Sequence, residues 1–275
     1  MRSVNRADWI SVSGRGSLAT DHRPLATDHW PLDHRPLTSM IYLIRHGQAG
    51  SRDNYDVLSE LGRKQAALLG EHLASLSMDV TAAYSGTMAR QVDTAGIVCE
   101  ALTRGGTAVP SVIADEKWNE ISLAAMYRAM APRMRIDNPD FNRDLEEMQV
   151  LIREDPHSVR GATGRCDAAV MRAWMAAKYP DFDGESWAEF SSRIRSRLAG
   201  LAQNGHGGAV LVFTSATPIA TLAGHTLDLD DERILRLAGV TYNTSITVIA
   251  VRPEGSRLVT FNSAPHLSDS IKTFR

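Results

Sequence analysis

From Met40 onward the chain alternates short apolar runs with longer segments of helical periodicity, and that alternation is the strongest constraint on its fold. Strands that are separated by helices cannot form hairpins with one another, so they pair in parallel and bury both faces under the helices between them. Residues 40–44 form a short continuous apolar run, as expected of a strand buried on both sides. Residues 59–76 follow with Leu61, Gln65, Leu68, Leu69, Leu73 and Leu76 at helical spacing behind Ser59, a good N-cap. A second strand is expected over 80–84 and a helix over 87–102, with Val92, Ala95, Val98, Cys99 and Leu102 inward. Residues 109–113 read as a third strand. Between about 121 and 183 the periodicity is helical only, which marks a helical insertion. A helix over 186–203 then leads through Asn204-Gly205-His206-Gly207-Gly208 into the apolar strand 209–213, and 245–251 and 257–261 complete the strand set. The expectation is an α/β fold, a three-layer arrangement of a mainly parallel sheet with helices on both faces and a helical insertion.

The first 39 residues follow different rules. Ala19-Thr20-Asp21-His22-Arg23-Pro24-Leu25 is nearly repeated from Ala26 to Leu32 and again, shortened, from Asp33 to Leu37. A proline in each repeat blocks regular structure, and the few apolar side chains cannot offset the entropy of ordering. Residues 1–39 therefore read as a disordered extension, with Met40 as the expected biological start, and 40–275 as the folded domain.

The formal net charge of −2 gives no global attraction to nucleic acid or an anionic membrane, so affinity for phosphate has to be local. The uncharged stretch 209–227 contains Thr, Ser, Pro, Gly and His, and reads as a strand running into a helix, not as a membrane span. The two cysteines, Cys99 and Cys166, lie in apolar helical contexts without metal-ligand spacing. Both are expected to be buried free thiols, consistent with a reducing, cytoplasmic setting.

In parallel α/β sheets, ligands bind where strands end and helices begin, because unpaired N–H groups of helix N-termini converge there. Arg45 and His46 close the first strand, Ser85 closes the second with Arg90 one helical turn on, and Thr214-Ser215 close the long apolar strand. Guanidinium groups offer paired donors to phosphate oxygens, and a neutral histidine with one ring nitrogen fixed by the backbone is a nucleophile toward phosphorus.

Three segments together carry a resemblance: Arg45-His46-Gly47-Gln48-Ala49; then Asp56-Val57-Leu58-Ser59-Glu60-Leu61-Gly62-Arg63-Lys64-Gln65-Ala66; then Tyr84-Ser85-Gly86-Thr87-Met88-Ala89-Arg90-Gln91-Val92-Asp93-Thr94-Ala95. In order and spacing they resemble the histidine phosphatase (phosphoglycerate mutase-like) superfamily. The resemblance continues through Trp118-Asn119-Glu120-Ile121, Gly184-Glu185-Ser186, Glu189-Phe190, Arg193, Phe261-Asn262 and His266-Leu267.

The resemblance implies roles residue by residue. His46 corresponds to the nucleophile that becomes phosphohistidine, Arg45 and Arg90 to the phosphate clamp, and Glu120 to the carboxylate that protonates the leaving oxygen and then activates water. Glu116 is the competing choice. Where relatives carry a second His-Gly, this chain has Ser215-Ala216. Ser215 is then either a hydroxyl donor to phosphate or the mark of lost transition-state binding, on the order of 2–4 kcal/mol. The implied function is metal-independent and cofactor-free hydrolysis of a small phosphomonoester. The alternative is a phosphate-binding or regulatory module of weak turnover, and a mutase is the lesser expectation. The tryptophans 118, 174 and 187 are expected in packing, and Arg128, Arg133 and Arg135 on a solvated helix face.

Overall fold

The computed structural model describes residues 39–203, 207–252 and 255–274. The low-complexity extension lies outside the described residues up to position 38, and Ser39 already belongs to the first strand. Six strands form one sheet: β1 (Ser39–Arg45), β2 (Val80–Ser85), β3 (Ile113–Ala114), β4 (Ala209–Thr214), β5 (Ile246–Arg252) and β6 (Gly255–Ser263). Their spatial order is β3-β2-β4-β1-β5-β6. The first four strands in that row are parallel, β5 is antiparallel to β1, and β6 is antiparallel to β5.

Alternation along the strands sorts side chains into two cores. Ile41, Leu43, Val210, Val212, Ile249 and Val251 face one layer, while Ile44, Leu211, Phe213, Ile246 and Val248 face the other. The second layer is made by α1 (Glu60–Ser75) and α2 (Ala89–Arg104), which contribute Leu69, Leu73, Val98 and Leu102. Strand β4 is buried along its whole length, between β1 and β2, which is why its sequence is apolar without alternation.

The insertion resolves into α3 (Leu123–Asp137), α4 (Pro139–Glu154) and α5 (Gly161–Met175). The break between the first two is written locally. Asn138 precedes a proline, which disfavours helical backbone there, and its side chain accepts from Asp140 N and Phe141 N at 3.1 and 3.2 Å, capping α4. Then come α6 (Trp187–Gln203), α7 (Ala216–Thr226) and α8 (Asp231–Val240). Together with the insertion they cover the other face, where Trp118, Trp174 and Trp187 are buried as expected, and Phe190 with them.

Four details differ from the sequence reading, the first being Val92, expected inward but 43% exposed on α2. The third strand is two residues long, because Pro110 has no N–H for a ladder over 109–113. Helix α8 is not among the expected elements, although Asp230 caps it by accepting from Arg233 N at 2.9 Å. Cys166 is buried but Cys99 is only half-buried.

Candidate active site

The carboxyl end of β1 is fixed from both sides. His46 N donates to Thr214 O at 2.9 Å on β4, while Thr244 N donates to Arg45 O at 3.1 Å and His46 O at 3.3 Å. Asn243 Nδ2 adds a second donor to His46 O at 3.1 Å. Thr244 sits at φ +55°, an unfavourable conformation for a β-branched residue, and that strain is held by these contacts. On the helix side Gly47 lies against Gly62, where a Cβ added to Gly47 would stand 2.4 Å from Gly62 O. Two glycines are thus what allow α1 to approach the strand end.

The His46 ring is 1% exposed, and its Nδ1 lies 2.7 Å from Gly47 O. A carbonyl only accepts, so Nδ1 carries the proton and Nε2 presents its lone pair. Arg90 Nε donates to that lone pair at 3.2 Å. Burial, then Arg90, then Arg45 push the imidazole pKa well below its ordinary value, against the pull of the Gly47 carbonyl. The ring is neutral and oriented, the state a nucleophile requires.

Arg90 stands in the first turn of α2, 4% exposed, with Nη1 paired to Asp56 Oδ1 at 2.8 Å and its guanidinium 4.8 Å above the Tyr55 ring. Arg45, equally buried, donates from Nη1 to Thr241 O. Its Nε and the Ser85 hydroxyl are buried without partners among the described residues. These are donors of the kind an incoming anion would satisfy. Thr94 links the pieces: its Oγ1 accepts from Gly47 N at 3.1 Å and donates to Arg90 O at 2.6 Å.

Glu120 follows a short 3-10 turn, Glu116–Trp118. Its Oε2 accepts from Thr217 N at 3.0 Å and its Oε1 from Ile121 N at 3.0 Å. The carboxylate therefore sits at the N-terminus of α7, where N–H groups are unpaired and favour negative charge. Glu116 is exposed on the turn. The segment carrying Glu120 is tied down by Arg193, which pairs with Glu185 at 2.6 Å and donates to Lys117 O at 2.7 Å.

Ser215 forms the N-cap position of α7, one residue beyond the Arg45–Thr214 pairing of β1 with β4. It is therefore the strand-end neighbour of His46. Its Oγ accepts from Gln91 Nε2 at 2.8 Å.

The structure thus brings Arg45, His46 and Arg90 together and places Glu120 and Ser215 at one helix end beside them. Tyr55, Asp56 and Gln91 belong to the same cluster. Asp56 and Gln91 lie inside the motif segments without a role assigned from sequence, and the polar loop holding Tyr55 gave no signal. His225 is exposed on α7, and His266 lies 3.0 Å from Thr244 Oγ1, behind the strand end.

A six-stranded α/β sandwich with a neutral imidazole between two guanidinium groups at its strand ends defines a class: domains that handle phosphate through histidine. The model of the histidine phosphatase superfamily (branch 1) matches residues 41–173 and again 139–264, and the chain belongs to that superfamily. Among curated proteins it is similar to the mitochondrial serine/threonine-protein phosphatase Pgam5 of Caenorhabditis elegans, 38% identical over 113 residues, 41% of this chain and 37% of that one. The Caenorhabditis briggsae counterpart is 44% identical over 62 residues, 22% of each chain. The match spans 37% or less of the length of these relatives. Solved structures share the fold. YhfR of Bacillus stearothermophilus has a TM-score of 0.56 at 21% identity, covering 84% of this chain and 100% of its own. A phosphoserine phosphatase mutant from Entamoeba histolytica, in complex with phosphoserine, has a TM-score of 0.54 at 19% identity, covering 84% and 100%.

Proposed function

We propose that this chain hydrolyses a small phosphomonoester through a phosphohistidine on His46. The carrying observation is the state of the His46 ring: neutral, pinned at Nδ1 by Gly47 O, with its Nε2 lone pair facing Arg90. In the first step Arg90 exchanges Nε2 for the phosphate oxygens. Nε2 then forms the N–P bond, the P–O ester bond breaks, and Glu120, which takes up a proton when the anionic phosphate binds beside it, gives that proton to the departing oxygen. In the second step the Glu120 carboxylate takes a proton from water, whose oxygen displaces His46 from phosphorus. Inorganic phosphate leaves and the ring is neutral again. Arg45 and Arg90 match the charge spread over the equatorial oxygens, and each such donor is worth about 3–4 kcal/mol of transition-state stabilisation. No metal or organic cofactor is required by this sequence of steps.

A small substrate is supported by the enclosure of His46, Arg45 and Arg90, and its identity is left to the insertion helices α3–α5, which carry no specificity motif. The relatives named as serine/threonine-protein phosphatases make phosphoserine peptides a necessary comparison. The unpaired thiols Cys99 and Cys166 support a cytoplasmic setting, whereas those relatives are named mitochondrial. Among the described residues no helix is long and apolar enough to cross a membrane. Nucleic acid and membrane are not expected partners, on the near-neutral charge alone.

The test is phosphate release from an aryl phosphate and from sugar, nucleotide and phosphoserine-peptide substrates, with His46→Ala as control. Turnover lost in His46→Ala, with acid-labile label on the wild type, is the expected result. The second reading, a phosphate-binding or regulatory module, rests on Ser215 in place of the second histidine. It prevails if wild type and His46→Ala are equally inert while both bind phosphorylated ligands.

A further inference from the structure

The serine at 215 does not stand alone. Gln91, fully buried on α2, sends its Nε2 to Ser215 Oγ at 2.8 Å and toward Trp118 O at 3.5 Å. Trp118 O also accepts from Thr214 Oγ1 at 2.6 Å, so the amide is aimed by the same strand end that carries Ser215. Gly86 makes this possible: a Cβ there would stand 1.9 Å from Gln91 Oε1. Gly86, Gln91 and Ser215 therefore pack against one another, and with Ser215 1% exposed an imidazole at 215 is expected to press on Gln91.

The direction of the bond sets the chemistry. An amide N–H only donates, so Ser215 Oγ is the acceptor, and its hydroxyl hydrogen has no acceptor among the described residues. Arg45 Nε and Ser85 Oγ, also buried, are likewise unpartnered. We propose that Gln91 is a positioning residue for phosphate: it holds Ser215 Oγ so that the hydroxyl hydrogen is donated to a phosphate oxygen, a neutral pair in place of the second histidine. This rests on the reading of the site as a phosphate site, and it predicts that serine is a working part of a rebuilt cradle.

Titration calorimetry with inorganic phosphate on wild type, Gln91→Met, Ser215→Ala and the double variant tests it without turnover. Each single change weakens phosphate binding about 5- to 10-fold, the worth of one net hydrogen bond. The double variant binds about as the singles do, because removing the hydroxyl leaves the amide nothing to aim. Wild-type affinity in Gln91→Met, or losses that multiply in the double variant, overturn the proposal. Should Gln91→Met not fold, hydrolysis by Ser215→His and Ser215→His/Gln91→Ala decides. Ser215→His is expected below wild type, with activity regained when Gln91 is also removed; a gain in Ser215→His alone overturns the pairing. Absence of phosphohistidine in the wild type would sink the hydrolase reading, while the calorimetric series would still report on Gln91.

Discussion

Gly62→Ala is the substitution whose outcome the structure specifies most sharply. A Cβ on Gly62 would stand 2.1 Å from Gln48 O and 2.8 Å from Gln48 N, both backbone atoms. An ordinary carbon–oxygen contact is about 3.3–3.6 Å, so α1 and the segment after His46 must part by about 1 Å. Neither side gives easily. Gln48 O accepts from Ser59 N at 2.9 Å, Gln48 N donates to Gln65 Oε1 at 2.8 Å, and Ser59 caps the helix at Gly62 N at 3.0 Å. Overpacking of this kind costs about 1–3 kcal/mol, and alanine returns about 1 kcal/mol of helix propensity. The net expectation is a loss of about 1 kcal/mol, a melting point lower by about 2–4 °C for a domain of this size. Activity suffers more than stability, because a shift of about 1 Å at the nucleophile costs about 100-fold in rate. Gly96→Ala, at an exposed helical position where a Cβ meets nothing within 4 Å, is the control and is expected to melt higher. Thermal melts and aryl-phosphate hydrolysis on both variants make the comparison. If Gly62→Ala melts as high as Gly96→Ala and keeps wild-type kcat, the close approach of α1 does not position His46, and the reasoning fails.

Burial and then His72 push the His266 pKa down to about 4, from an ordinary value near 6.5. Between those values the unfolded chain binds the extra proton, so stability falls as pH drops through that window, by about 1–2 kcal/mol after discounting partial exposure. Urea unfolding of His266→Asn is expected to show a shallower decline from pH 7 to 4.5; an unchanged slope would leave His46, depressed in the same direction, as the source. Arg52 on the 50–57 loop pairs with Asp167 of α5 at 2.6 Å, and Tyr127 of α3 donates to the same carboxylate at 2.7 Å. Asp167→Asn is expected to lower stability by about 1–2 kcal/mol and to speed proteolysis within the loop that carries Tyr55. Equal cleavage rates in variant and wild type would show that this tie does not hold the loop. Phe190, fully buried and 5.6 and 5.9 Å from the Trp174 and Trp187 rings, should cost about 3–5 kcal/mol as Phe190→Ala; a chemical-denaturation loss under about 1 kcal/mol would contradict the packing.

What could be read in advance was what neighbours in sequence decide. The apolar runs of β1 and β4, the Ser59 cap and the insertion's helical periodicity are local signals; β1, β4 and α1 reappear with boundaries moved by a residue or two, and the insertion as three helices ending at Met175. Arg45, His46 and Arg90 came through as a spaced motif whose members lie at strand and helix ends. The third strand is shorter than its apolar run because Pro110 interrupts that run. Helix α8 is weakly marked in sequence because its acidic start, with Asp230 as cap, lies between two more strongly apolar segments. Gln91 was invisible for a different reason: its partner is 124 residues away, and only the placement of β4 between β1 and β2 brings Ser215 to it. A missing histidine read along the chain is a gap. Read across the sheet it is the acceptor of a buried Gln91 amide, because a side chain's chemical role depends on which donor reaches its oxygen, and that is settled by strand order, not by the motif.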